Sequence, residues 1–232
     1  MVSTLYLATN ESILGIVASL SVKKDDAVLS VCGSGDVPFA LLEYAKFVCA
    51  CDISIDQINY AKYRLAQLNQ GRYEEFFNTP KLDNIWITPE ARRKQKEYFT
   101  LERLEKIRKK SQCISFKIAN VCDKQDETFS KIYLSNAPLD GIVSSRKTLI
   151  QSFNNLAESL LPEGLLYHAA GEDYVSGIQR YSKSITPSYF LKRELKKTWS
   201  RYFEIDIPST EVASEYRTDD IWQPVVFRKI HK

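Results

Sequence analysis

Histidine is scarce in this 232-residue chain, with only His168 and His231, and a histidine-based metal site is not expected. Five cysteines are an odd number, and none forms a Cys-x-x-Cys pair that would signal zinc or thiol redox chemistry. Buried, reduced thiols are the expectation, in keeping with a cytoplasmic protein. Eight glycines and eight prolines are too few for a low-complexity or disordered chain. No apolar run approaches the roughly 20 residues that span a bilayer. Met1 to Asn10 lack the basic start and apolar core of a secretory signal. Neither internal repeats nor a Gly/Ser linker is evident, and the length suits one domain over residues 1–232.

The remaining composition is that of a globular protein, 44% hydrophobic and 26% charged. Net charge is only +3, but Arg92 to Lys110 hold nine Lys/Arg against three Glu. That run is either a solvated helix face or a surface for an anionic partner. It has few aromatics for base stacking and no nucleic-acid recognition motif, which disfavours nucleic acid. Anionic lipid headgroups are equally compatible with it.

Along the chain, strands alternate with helices, the pattern of a parallel sheet covered on both faces. A short amphipathic helix opens at Asn10, which suits its cap. The first strand runs from Ala27 to Cys32 and the second from Phe47 to Cys51, ending at Asp52. Cys49 and Cys51 should share one buried face of that strand. Helices are expected over Pro38–Tyr44, with Pro38 at the first helical position, and over Ile55 to about Leu68. Residues 69–112 interrupt the alternation as a helical insertion, with a short turn at Tyr73–Phe77. A long helix there, capped by Thr88-Pro89, runs to Lys110. Strands then follow at Ile114–Ile118, Lys131–Ser135 and Leu165–Ala170. A helix over Ser144–Leu161, stopped by Pro162-Glu163-Gly164, separates the last two. After a helix from Thr186 to about Tyr202, strands Phe203–Ile207 and Trp222–Lys229 have no room for a helix between them and should form an antiparallel hairpin. The expected architecture is α/β: a mostly parallel, seven-stranded, Rossmann-like sheet resembling the class I methyltransferase fold.

The chemical signal begins with a strand, Gly33-Ser34-Gly35, a helix, and a second strand ending in an acid. Glycines permit the tight turn and the close approach of a ligand to the backbone, and a helix N-terminus favours an anionic group. Asp52, seventeen residues after Gly35, can accept hydrogen bonds from both hydroxyls of a ribose. A turn glycine pair without a ligand is the plain alternative. The third glycine of a nicotinamide-binding loop is replaced by Pro38, and Asp36 would sit beside a pyrophosphate. S-adenosylmethionine has no phosphates, and its sulfonium and ammonium would welcome a carboxylate. A nicotinamide oxidoreductase and a non-catalytic binding module are the competing readings. Asn120 follows the third strand and Asn136 the fourth, where open α/β sheets bind ligands; both also suit plain turns.

Four stretches, Thr9-Asn10-Glu11, Leu29 to Asp36, Tyr73-Glu74-Glu75-Phe76 and Ile132 to Asn136, resemble the betaine-lipid-synthesis 3-amino-3-carboxypropyltransferases and their shorter relatives. The resemblance covers roughly residues 5–170. It implies cofactor contacts at Gly33, Gly35, Asp36, Asp52, Asn120 and Asn136, with Ser34, Ile53 and Val121 beside them. Thr9 and Asn10 would close over the methionine end. The implied reaction moves the aminocarboxypropyl group of S-adenosylmethionine to a small-molecule or lipid-headgroup acceptor. Methyl transfer to a small molecule is the alternative. Should the acceptor need a base, Asp36, Glu74 and Asp140 are candidates. Tyr73, Phe76 and Phe77 could line an acceptor pocket, although aromatics at this spacing also build cores.

Overall fold

The computed structural model describes residues 5–78, 85–137, 146–169, 199–216 and 224–230. Strand β1 (Leu5–Tyr6) pairs in parallel with β4 (Ile85–Trp86). The principal sheet contains β2 (Ala27–Val31), β3 (Phe47–Asp52), β5 (Ile114–Ile118), β6 (Phe129–Tyr133), β7 (Leu160–His168), β8 (Phe203–Ile205) and β9 (Val225–Lys229). Its order is β5-β3-β2-β6-β7-β9-β8. The strands from β5 to β7 run parallel, and β9 runs antiparallel to both its neighbours.

Because parallel strands are covered on both faces, their residues alternate between two cores. Val28, Val48 and Ala50 face a core that includes residues of α1 (Ile13–Leu20), α2 (Asp36–Leu42), α3 (Ile55–Asn69) and α6 (Leu101–Lys109). Leu29, Cys49, Cys51 and Ile132 face the other, with Phe153 and Leu156 of α7 (Arg146–Ser159). Cys49 and Cys51 do share a face, with sulfurs 3.8 Å apart. All five cysteines are free thiols.

Several boundaries differ from expectation, each for a local reason. Ser12, not Asn10, caps α1, its hydroxyl accepting from the Gly15 N–H. Helix α2 starts at Asp36, so Pro38 is its third residue; a missing N–H is harmless throughout the first turn. The expected long helix is two, α5 (Pro89–Tyr98) and α6, because Phe99 turns into the core and Thr100 starts a new cap. Pro162-Glu163-Gly164 lies inside β7 as an irregularity, with the register jumping from Phe129–Leu160 to Lys131–Leu165 and Glu163 at φ +59°. Strand β6 ends at Tyr133, two residues early.

The connection between β8 and β9 does hold a helix, α8 (Ile207–Glu215), capped by Asp206. The strand expected to reach Ile207 ends at Ile205, and the two strands connected by this helix pair antiparallel. Most of the helix expected over Thr186–Tyr202 lies outside the described residues, as does Trp222. No described helix is long and apolar enough to cross a membrane.

Candidate functional site

The strand order reverses between β2 and β6, so the carboxyl ends of these strands border a crevice where open α/β sheets bind ligands. After β2 the chain turns through Gly33 at φ +48° and Gly35 at φ +87°. The two glycines serve different ends. A Cβ on Gly35 would lie 2.8 Å from Phe39 Cε2 and 3.2 Å from Ala61 Cβ, so this glycine lets α2 pack on α3. A Cβ on Gly33 would meet nothing within 4 Å: its Cα faces open space at the crevice.

Asp52, at the end of β3, accepts the Gly33 N–H on Oδ2 and the Ser54 N–H on Oδ1, each at 2.9 Å. A carboxylate offers about four lone-pair positions, so acceptor capacity beyond these backbone donors remains for a ligand hydroxyl. Burial raises the Asp52 carboxyl above its usual range, while the N–H donors of Ser54, Gly33 and Ile53 oppose that shift. Ile53 is exposed at the mouth. Asn120 Oδ1 accepts from the Cys122 N–H at 2.9 Å, a turn-forming bond. The Val121 side chain is buried in the α7-side core, which removes it as a ligand-facing side chain.

Asp36 has a different place from the one expected. It is fully buried, and Arg64 Nη1 and Gln95 Nε2 each donate to its Oδ1 at 2.7 Å. The Thr9 N–H donates to Oδ2 at 2.8 Å. With its charge met by Arg64 and both oxygens engaged, Asp36 neither faces a ligand cation nor serves as a base. Arg64 also donates to the carbonyls of Ser34 and Phe76 and lies 4.0 Å from the Phe76 ring centre. Phe76 is wholly buried between Phe39, Phe77 and Phe99, which removes it from an acceptor pocket. Tyr73 and Phe77 are half-buried against the same core. Glu74 is solvent-exposed on α4 (Tyr73–Phe77), and Asp140 lies outside the described residues.

The N-terminal segment crosses this region as a strap. Gln57 donates to the carbonyls of Tyr6 and Gly33 and accepts from the Tyr6 N–H, and Gln95 donates to the Leu7 carbonyl. Farther along, Glu11 Oε1 accepts from Tyr133 at 2.6 Å and from the Ser135 hydroxyl. Burial and the adjoining Glu11 push the Tyr133 hydroxyl well above its usual range. Ser135 adopts φ +52°, and its carbonyl accepts from His168 Nδ1 at 2.6 Å and the Ala169 N–H at 2.9 Å. Burial lowers the His168 imidazole to about 4 and keeps it neutral. Asn136 follows, half-buried, with Oδ1 3.3 Å from the Ser135 hydroxyl.

Arg64, Gln57, Gln95, Tyr133 and His168 were not among the site residues expected. Four of the nine cations in the basic run are engaged in packing. Arg103 and Lys106 pair with Glu43, and Lys110 donates to the carbonyls of Glu43 and Ala45. Arg92 bonds the Phe77 carbonyl and Gln95. Among the described residues, no group of three or more His, Cys, Asp or Glu could hold a metal ion.

No protein-family model matches the sequence, and no curated protein matches it. Solved structures do match in shape. The N-methyltransferase NodS from Bradyrhizobium japonicum aligns at TM-score 0.50 and 11% identity, covering 94% of this chain and 93% of that one. A putative rRNA methylase from Clostridium thermocellum aligns at 0.50 and 15%, covering 97% and 99%. The chain has the class I methyltransferase fold. A TehB-like S-adenosylmethionine-dependent methyltransferase from Corynebacterium glutamicum aligns at 0.51 and 11%, covering 97% and 89%. At these identities the likeness concerns the path of the chain and not the chemistry.

Proposed function

We propose that this chain is an S-adenosylmethionine-dependent transferase, and that it moves the 3-amino-3-carboxypropyl group to a nucleophilic small-molecule or lipid-headgroup acceptor. The observation that carries the cofactor is the pairing of Asp52 with the open face of Gly33. Asp52 keeps acceptor capacity for the ribose diol, and Gly33 lets the nucleoside approach the backbone. A dinucleotide fits less well. Its pyrophosphate would need the amides at the start of α2, but the Gly35 N–H donates to the Cys32 carbonyl and the Asp36 N–H to the Ser34 hydroxyl. An NodS structure holding S-adenosylhomocysteine has the same fold at 12% identity and supports the cofactor class.

Bound, the cofactor supplies a sulfonium whose methyl carbon and methionyl γ-carbon are both open to in-line displacement. The protein's part is to hold the nucleoside at Asp52, exclude water and align the nucleophile. An amine acceptor needs no strong base, which suits a site where Asp36 is sealed away. Aminocarboxypropyl transfer is favoured by the way the four family-like stretches converge. Thr9 bonds Asp36, Asp36 bonds Arg64, Arg64 bonds Phe76, and Glu11 bonds Tyr133 and Ser135. Methyl transfer is the second reading, supported by the methyltransferases that share the fold.

Incubation with S-adenosylmethionine and a cell extract, with mass spectrometry of the nucleosides, separates the two. Methylthioadenosine is the expected product, whereas S-adenosylhomocysteine would replace the first reading by the second. Absence of S-adenosylmethionine binding at millimolar concentration in a calorimetric titration would remove both.

A further inference from the structure

Ser135 holds a left-handed conformation that a residue with a Cβ rarely adopts, and such strain persists only where the surroundings over-determine it. Here they do so from two sides. The carbonyl is held by His168 Nδ1 and the Ala169 N–H, both from the end of β7 or just beyond it. The hydroxyl is held by Glu11, 124 residues away in sequence. Glu11 is itself fixed: Tyr133 donates to the same oxygen, its N–H donates to Thr9 Oγ1, and the Thr9 N–H donates to Asp36. The strained turn delivers Asn136 to the carboxyl end of β6.

Strand order says what that position meets. Asp52 ends β3, on one side of β2, and β6 lies on the other. A nucleoside anchored by its ribose at Asp52 and lying across Gly33 must direct its amino-acid end toward β6. We propose that Glu11 is a positioning residue: it clamps the Ser135-Asn136 turn and so shapes the part of the site that takes the methionyl end of the cofactor. Glu11 and Tyr133 are both buried, so Glu11 acts through the turn and not by touching the ligand. The inference rests on the cofactor reading above.

Calorimetric titration of two ligands, S-adenosylmethionine and methylthioadenosine, tests it, because the second lacks the aminocarboxypropyl chain. The wild-type chain should bind both. Glu11→Ala should weaken S-adenosylmethionine by about tenfold or more, the scale of one lost charge-assisted hydrogen bond, and leave methylthioadenosine within about twofold. Glu11→Gln, whose amide oxygen still accepts from Tyr133 and Ser135, should recover most of that loss. If Glu11→Ala does not fold, Ser135→Ala, which deletes only the clamped hydroxyl, should show the same split. Equal loss for both ligands, no loss for either, or a Glu11→Gln as impaired as Glu11→Ala would each overturn the proposal while the cofactor reading stands. A wild-type chain that binds neither ligand overturns the cofactor reading and the proposal with it.

Discussion

Replacing Arg64 by Met should be among the most damaging single changes in this chain. The guanidinium is wholly buried, 2.7 Å from Asp36 Oδ1, and also serves the carbonyls of Ser34 and Phe76. Its Nη2 has no hydrogen-bond acceptor among the described residues; the rings of Phe39, Tyr60, Phe76 and Phe99, 4.0 to 5.9 Å from its central carbon, stand in. Methionine is long and polarizable enough to fill that cage, so little of the loss is cavity. What remains is a buried Asp36 without its cation, a change that costs about 3–5 kcal/mol. Gln95 and the Thr9 N–H still hold Asp36, which favours the lower end, about 3 kcal/mol. At 2–4 °C per kcal/mol for a chain of this size, the melting temperature should fall by roughly 6–12 °C. Urea unfolding followed by tryptophan fluorescence measures the loss of free energy, and thermal unfolding with the same probe the shift in melting temperature, with Trp199 packed on Phe227 as an internal reporter. Asp36→Asn completes a double-mutant cycle, and because each single change strands the other member of the buried pair, the double variant should lose at least about 2 kcal/mol less than their sum. A single loss under about 1 kcal/mol, or strict additivity, would refute this account of the cluster.

Other consequences concern the loop, the acid and the buried histidine. Gly35→Ala should cost about 2–4 kcal/mol in urea unfolding, from the Phe39 contact and the positive φ together. Gly33→Ala carries only the φ penalty, about 1 kcal/mol, but should weaken S-adenosylmethionine measurably in a calorimetric titration, because its methyl enters the open face. Asp52→Ala should weaken the same binding by about 1.5–3 kcal/mol through lost charged hydrogen bonds; unchanged affinity would mean another residue takes the ribose. His168 has a lowered folded pKa, about 4 against 6.5, so between those values the unfolded chain binds a proton that the folded chain does not. Its contribution to stability is therefore present above pH 6.5 and declines as pH falls toward 4, by about 3 kcal/mol in all. His168→Asn, which can still donate to the Ser135 carbonyl, should flatten that part of a stability-against-pH curve.

The elements read correctly from the sequence are those whose signals are local. Strands β2 and β3 are short apolar runs that end at a glycine turn and an acid, and Ile55 to about Leu68 shows the helical spacing of α3. Helix α8 was equally signalled, by Asp206 at the cap and Pro208 in the first turn, but a strand drawn on to Ile207 hides the cap. The irregularity in β7 had no such signal: Pro162-Glu163-Gly164 reads as a stop, and only the pairing of Leu160 with Phe129 makes it an interruption within one strand. The same division runs through the site. Gly33, Gly35 and Asp52 follow from spacing over twenty residues, whereas Gln95 reaches the Leu7 carbonyl across 88 residues and looks like any polar helix residue until the fold closes.

The basic run shows why charge counting is a poor guide to a surface. Nine cations in one segment suggest an anionic partner, yet Arg92 reaches back to α4 while Arg103, Lys106 and Lys110 converge on the C-terminal end of α2. There Glu43 is almost fully buried, with its carboxylate between Arg103 and Lys106 and its carbonyl accepting from Lys110. Lysine and arginine stems pack on apolar surface while their heads find acceptors, so a buried carboxylate gathers cations from a neighbouring helix. These side chains fasten α5 and α6 to α2 and α4. The same fastening carries Gln95 to Asp36, and through it the helices between α3 and β5 set the position of the glycine turn. Their charge belongs to the architecture of the site, and whatever meets an anion on this face must come from the cations left outside those pairs.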